Sequence, residues 1–308
     1  MLEGLMVGRC CSGAQIYFNF PTYNVPTNIY TFKLSNSMQT SPIGIFDSGY
    51  GGLTVFRSIA DQLPEYDYIY LGDNARSPYG DHSFETIYKY TLECVEWLFA
   101  KGCQLVILAC NTASAKALRT IQQNDLPIKY PDRRVLGVIR PTAEVIGSFT
   151  STGNVGVMGT RGTVNSQSYL LEINKFFPDV KVFQQSCPMW VPLIENNEHL
   201  QSGVDFFIDE YCTRLMEQSA DIDCVLLACT HYPLLLPKLT IVFPDYIKIL
   251  TQGEIVANSL VDYLARHPEI EDEIGRNRQR LFYTSGDPVT FNQHASIFFG
   301  EELESHQM

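Results

Sequence analysis

The chain has 308 residues, 45% hydrophobic and 18% charged, with a formal net charge of −12. That length builds two ordinary domains with real cores, and the acidic balance argues against nucleic acid as a main partner, because phosphate binding draws on an excess of Lys and Arg. No apolar run approaches a bilayer-spanning length, and nine cysteines without CxxC or Cys/His ligand spacing predict neither a disulfide framework nor a zinc site and suit a reducing cytoplasm.

Residues 1–40 are rich in Asn, Thr, Tyr and Ser and show neither helical nor strand periodicity. They lack the basic and apolar regions of a signal peptide and read as a disordered leader or a little-used upstream start, with the folded part starting near Met38. Cys10 and Cys11 receive no functional role. From Pro42 a rhythm sets in. Ile43–Phe46 reads as a strand, followed by Asp47-Ser48-Gly49-Tyr50-Gly51-Gly52 and a helix carrying Leu53, Phe56, Ile59, Ala60 and Leu63. A strand at Tyr66–Leu71 leads into Gly72-Asp73-Asn74-Ala75-Arg76-Ser77-Pro78-Tyr79-Gly80. A long helix is predicted from Ser83, its cap, to Gly102, its C-terminal stop. A strand ending in Ala109-Cys110, a helix over Ala113–Gln123 and a strand at Val135–Ile139 complete a βαβαβ pattern, the mark of a parallel sheet with helices on its faces.

The rhythm then restarts. Val155–Met158 is a strand running into Gly159-Thr160-Arg161-Gly162-Thr163, and Val180–Gln184 is a strand ending in Ser186-Cys187-Pro188. A helix over Val204–Gln218 precedes a strand ending in Ala228-Cys229. Gly44 and Gly156 are 112 residues apart, and Cys110 and Cys229 are 119 apart, so a unit of similar length occurs twice. A strand at Ile247–Leu250, a helix at Glu254–Arg266, a strand at Leu281–Thr284 and a last helix follow. The expected fold is α/β: two similar, pseudo-symmetric domains, each a mainly parallel sheet flanked by helices, with the active site in the cleft between them.

Cys110 and Cys229 are the candidate reactive groups. Each follows a short apolar run of the kind buried on both sheet faces, and each precedes small polar residues able to cap a helix. A thiol there lies at the ligand-binding edge of an open sheet, where a helix N-terminus favours thiolate. A single Cys in this setting is more often a small core hydrophobe; repetition in the same context favours chemistry. Cys94, Cys103, Cys212 and Cys224 read as core thiols. Asp47-Ser48-Gly49 has the form of a glycine-rich anion nest, with a turn or cap as the plain alternative. Neither a P-loop nor a dinucleotide fingerprint is present. His231, two residues beyond Cys229, is placed to move a proton, and Asn111-Thr112 and Thr230-His231 set polar groups beside each thiol.

Six motifs in order resemble the glutamate racemases of the aspartate/glutamate racemase family. They are Gly44-Ile-Phe-Asp-Ser-Gly-Tyr-Gly-Gly-Leu, Leu71-Gly-Asp-Asn-Ala-Arg-Ser-Pro-Tyr-Gly, Ala109-Cys-Asn-Thr-Ala-Ser, Val157-Met-Gly-Thr-Arg-Gly-Thr, Cys187-Pro-Met-Trp-Val-Pro-Leu-Ile-Glu and Ala228-Cys-Thr-His-Tyr-Pro. The resemblance implies a racemase without cofactor or metal that interconverts L- and D-glutamate and supplies the D-isomer for peptidoglycan. By position, Cys110 acts on D-glutamate with Asp47 assisting, and Cys229 acts on L-glutamate with His231 assisting. Glu195 falls where the family has a further acidic residue near the second thiol. Substrate contacts map to Asp47, Ser48, Tyr79, Gly80, Asn111, Thr112, Thr230 and His231. The resemblance also implies a homodimer and a chain that returns to its first domain, giving residues 41–139 plus 245–308 as one domain and 140–244 as the other. Arg140-Pro141-Thr142, at the crossing, matches no assigned role. The alternatives are a two-cysteine racemase for aspartate or another amino acid, and a two-lobed amino-acid binding protein.

Overall fold

Five buried residues, Ile43–Asp47, form β1, the strand from which the first sheet is built. In this computed structural model, which describes residues 41–308, β1 pairs in parallel with β2 (Tyr68–Gly72) on one side and β3 (Leu105–Leu108) on the other. The readings of residues 1–40, Cys10 and Cys11 lie outside the described residues. β4 (Arg134–Gly137) pairs outside β3. A second sheet holds β5 (Asn154–Gly159), β6 (Lys181–Ser186), β7 (Cys224–Ala228) and β8 (Lys248–Leu250), in the order β6-β5-β7-β8. This repeats the inner order β2-β1-β3-β4 of the first sheet, and all pairings are parallel. The register repeats too: Gly44 pairs with Val106, and Gly156 with Val225. β9 (Arg280–Thr284) and β10 (Ser305–Gln307) extend the first sheet beyond β2, so the chain does return to it.

The return comes later than residue 245. Lys248–Leu250 pairs with Cys224–Leu226 and is the second sheet's counterpart of β4, so the crossing follows Leu250. The 113–123 helix is also different. It starts at Asn111 with Cys110 itself as N-cap, stops at Lys116, and continues through a π-turn at Ile121–Asp125 to Leu126–Lys129, where Pro127 bars an unbroken ladder. The fourth strand ends at Gly137, and Arg140-Pro141-Thr142 lies inside a helix, Ile139–Val145, with the proline in its tolerant first turn.

Helices cover the sheets through apolar stripes. Gly52–Gln62 buries Leu53, Val55, Phe56, Ile59 and Ala60, and Phe56 sits among Tyr68, Tyr70, Phe282 and Phe299 with ring centroids 5.2–6.0 Å away. On the opposite face, Phe84–Ala100 buries Ile87, Cys94, Val95 and Leu98. Ser83 accepts from the Thr86 amide at its start, and Gly102 ends it at φ +99°, a conformation glycine adopts without Cβ strain. One apolar cluster runs from Ile45 and Phe56 through Ala109 and Met158 to Leu227 and Tyr232, so the two sheets share a core. No helix among the described residues is long and apolar enough to cross a membrane.

Candidate active site

The carboxyl ends of β1, β3, β5 and β7 deliver the site. β3 runs through Leu108 into Ala109-Cys110, and the Cys110 sulfur accepts from the Ala113 amide at 3.4 Å, capping its own helix. The thiol donates to Ser48 Oγ across 3.5 Å, which joins the β3 end to the β1 end. Cys110 is 5% exposed. Burial, reinforced by the Asp47 charge, pushes its thiol up to about 12, against the opposing pull of Ser48 and the Ala113 amide. That direction favours the thiol over the thiolate.

Cys229 follows β7 without an α-helix cap. Thr230-His231 leads into a single 3₁₀ turn, Tyr232–Leu235, and the α-helix begins only at Leu236. Pro233 and Pro237 withhold the amides that a helix starting at Cys229 needs. The helix-terminus argument therefore holds for Cys110 alone. Cys229 has an imidazole instead: its sulfur lies 3.9 Å from His231 Nδ1, and His231 Nε2 lies 2.9 Å from Glu195 Oε1. Glu195 ends the Trp190–Glu195 helix, anchored by Trp190 against Tyr232. Burial disfavours a charged His231, but its bonds to Cys229 and Glu195 outweigh burial and hold it up to about 10.

Asp47 links the two halves. It is wholly buried; Oδ1 accepts from the Gly49 amide at 2.9 Å, and Oδ2 accepts from Thr230 Oγ1 at 3.3 Å. Burial raises its carboxyl above the ordinary range, partly offset by the nearby His231 and by the Gly49 and Gly52 amides. The glycine-rich turn thus spends amides on its own aspartate, which narrows the anion nest expected there. Gly51 and Gly52 are present for space. A Cβ on Gly51 meets Thr230 Oγ1 at 2.3 Å and His231 Nδ1 at 2.4 Å, and one on Gly52 meets Asp47 Cβ at 2.4 Å.

The remaining residues separate into those at the site and one turned away. Thr112 Oγ1 lies 2.9 Å from Thr160 Oγ1, and Gly80 abuts the Thr160 side chain, so the first sheet's loops meet the second sheet's loops there. Arg161 reaches Asp81 at 3.4 Å across the same seam. Asn111 is buried beside Cys110, bonded to Gln252 and Tyr169. Tyr79 is the exception. Its side chain is 1% exposed, packs on Phe46, and gives its hydroxyl to Asp73, a fully buried carboxylate also held by Arg76 and Ser285. Only the backbone of Tyr79 and Gly80 is left to face a ligand. Thr160, Tyr169, Gln252 and Gly51 carry no assigned role in the sequence reading. The repeat held one signal for them: the 112-residue offset that relates Gly44 to Gly156 places Thr160 opposite Ser48.

This paired arrangement has relatives. A family model for Asp/Glu/hydantoin racemases matches residues 43–255. A glutamate racemase of Persephonella marina is 37% identical over 267 residues, covering 86% of this chain and 96% of that protein. The chain belongs to the Asp/Glu/hydantoin racemase family. As a member it is an isomerase, and it folds as the solved members do. The crystal structure of a glutamate racemase from Bacillus anthracis superposes with a TM-score of 0.79 at 31% identity, covering 88% of this chain and 98% of that one. A Francisella tularensis glutamate racemase, solved in complex with D-glutamate, gives 0.77 at 28% identity over 88% and 98% of the two chains.

Proposed function

We propose that this protein interconverts L- and D-glutamate without a cofactor, through Cys110 and Cys229 as paired acid and base, and that the D-isomer serves peptidoglycan synthesis. One observation carries the reading: two thiols stand on equivalent strand ends, Cys110 bonded to Ser48 and Cys229 beside the His231–Glu195 pair, and Thr230 bridges from the second thiol's loop to Asp47 in the first. A racemase needs a base on one face of Cα and an acid on the other. One sulfur, as thiolate, takes the Cα proton and becomes a thiol; the opposite thiol gives its proton to the other face and becomes a thiolate. The neutral Cys110 thiol fits the acid role when L-glutamate is bound, with Cys229 as base and His231, oriented by Glu195, as its proton partner. The reverse turnover exchanges the roles, with Asp47 beside Cys110.

The carbanion formed in between concentrates charge on the α-carboxylate. Donors fixed at strand ends stabilise it without side-chain reorganisation, and Ser48, Asn111, Thr112 and Thr230 provide them in a chain whose net charge is −12. The contact of Thr112 and Gly80 with Thr160 supports a closed cleft that keeps water from the carbanion. The seven cysteines among the described residues are free thiols, which supports a reducing, cytoplasmic setting.

The test is L-glutamate with purified protein in D2O and no added cofactor, following optical activity and Cα deuterium together. Loss of optical activity, with deuterium entering chiefly the newly formed D-isomer, is the expected result, and Cys110→Ala and Cys229→Ala each abolish it. Deuteration without inversion breaks the two-base mechanism. No reaction with glutamate but turnover of aspartate moves the assignment to that substrate.

A further inference from the structure

Behind Asn111, a closed ring of three hydrogen bonds joins residues from three separate parts of the chain. Asn111 Nδ2 donates to Gln252 Oε1 at 2.6 Å, Gln252 Nε2 donates to Tyr169 Oη at 2.8 Å, and Tyr169 Oη donates to Asn111 Oδ1 at 2.5 Å. Tyr169 is wholly buried, and Asn111 and Gln252 are 2% and 3% exposed, so water does not replace these partners. Asn111 opens the helix after Cys110, Tyr169 lies on the Ser168–Phe176 helix, and Gln252 stands where the chain crosses back toward the first sheet.

The ring has a sense, and one backbone carbonyl decides it. Run in reverse, the same three residues would also close a ring, with both amides flipped. The nitrogen of Gln252, however, also lies 3.2 Å from Val138 O and 2.9 Å from Thr142 Oγ1. Val138 O is a pure acceptor, and Thr142 gives it its own hydroxyl proton at 3.0 Å. A flipped Gln252 would set carbonyl oxygen against carbonyl oxygen there, so the amide nitrogen must face Val138 and Thr142. Tyr169 then receives a proton from Gln252 and passes its own to Asn111 Oδ1. Aligned donors of this kind strengthen one another. The carbonyl of Asn111 is turned toward Tyr169, and its amide nitrogen keeps one hydrogen with no second acceptor among the described residues.

We propose that Tyr169 and Gln252 are positioning residues that make Asn111 present an N–H, never its carbonyl, to the ligand, so that the group seated against Asn111 is a carboxylate oxygen and not the amino acid's ammonium. The inference rests on the reading that Asn111 faces bound glutamate. Arg140-Pro141-Thr142 thereby acquires a purpose: the crossing helix supplies the Thr142 and Val138 contacts that orient Gln252.

The experiment is a double-mutant cycle. Tyr169→Phe removes the hydroxyl that holds Asn111 Oδ1 and changes nothing else in shape, so that Gln252 Oε1 alone holds the Asn111 amide and its second N–H is no longer fixed toward the carboxylate. The expected loss in kcat/KM is about 10- to 100-fold, the worth of a hydrogen bond to a charged group. In an Asn111→Ala background the same change is expected to alter kcat/KM less than about twofold, because its effect travels through Asn111. Gln252→Met answers the same question should Tyr169→Phe fail a thermal-unfolding check. Retention of native kcat/KM by Tyr169→Phe overturns the proposal, and so does an equal loss in the Asn111→Ala background, which marks a general loosening of the fold. Calorimetric affinity for D-glutamate is read on the same set. If the native protein binds glutamate without racemising it, the function proposed above fails while the ring is still judged by the loss of affinity in Tyr169→Phe.

Discussion

Replacing Gly51 by alanine tests how closely the second thiol's machinery is built against the first sheet's turn. Gly51 has φ −57° and ψ −36°, ordinary helical values that alanine adopts freely. The added methyl is the whole perturbation. It would stand 2.3 Å from Thr230 Oγ1, 2.4 Å from His231 Nδ1 and 2.7 Å from His231 Cε1, where a normal contact needs more than 3.4 Å. One side must yield by about 1 Å. Neither neighbour is a loose chain end: Thr230 is tied to Asp47, and His231 to Glu195. A displacement of that size breaks the 3.9 Å approach of His231 to Cys229, and misplacing a catalytic group by about 1 Å costs on the order of 100-fold. The stability change is small, since overpacking costs about 1–3 kcal/mol and the loss of glycine's freedom in the unfolded chain returns about 0.4–1 kcal/mol. The assay is circular dichroism of glutamate started from each enantiomer, with thermal unfolding alongside. Enantiomers have equal free energies, so kcat/KM must fall by the same factor in both directions. A Gly51→Ala protein that keeps activity within about threefold of native refutes the reasoning.

Three further outcomes follow from the same structure. His231→Asn removes the group between Cys229 and Glu195 and lowers kcat/KM by about 10²- to 10⁴-fold, the span of general acid–base catalysis, measured from either enantiomer. The folded-state pKa of His231 is raised, to about 10 from 6.5, so its stabilising contribution is fully present below pH 6.5 and disappears as pH rises to 10; the unfolding free energy of the native protein minus that of His231→Asn therefore shrinks across that window, and a difference flat with pH contradicts the charged pair. Cys212, 2% exposed and pushed up to about 12 by burial and Asp209, is a core thiol; Cys212→Ala costs about 1–2 kcal/mol in denaturant unfolding and leaves racemisation within twofold.

Much of this molecule is set by local sequence. Apolar runs closed by Ala-Cys mark where β3 and β7 end, because the Asn and Thr residues that follow compete for backbone hydrogen bonds and favour caps and turns over a strand ladder. The similar spacing of the repeats points to two related units, and the two sheets do share one inner strand order. Since ligands collect at strand ends, Cys110, Cys229, Asp47 and His231 are legible as a group before any coordinates. Other features depend on partners far apart in the chain. Tyr79 turns its hydroxyl away from the thiols because Asp73, buried with no solvent, demands donors, and no local pattern states that. β8 joins the second sheet because the exposed edge of β7 needs pairing, a requirement invisible in three residues of sequence. The ring through Asn111, Tyr169 and Gln252 spans 141 residues between Asn111 and Gln252, and its sense hangs on the Val138 carbonyl. Periodicity and capping act between near neighbours and can be read along the chain. Which buried donor meets which buried acceptor is decided only when the sheets come together, since each must find a partner wherever the tertiary fold supplies one.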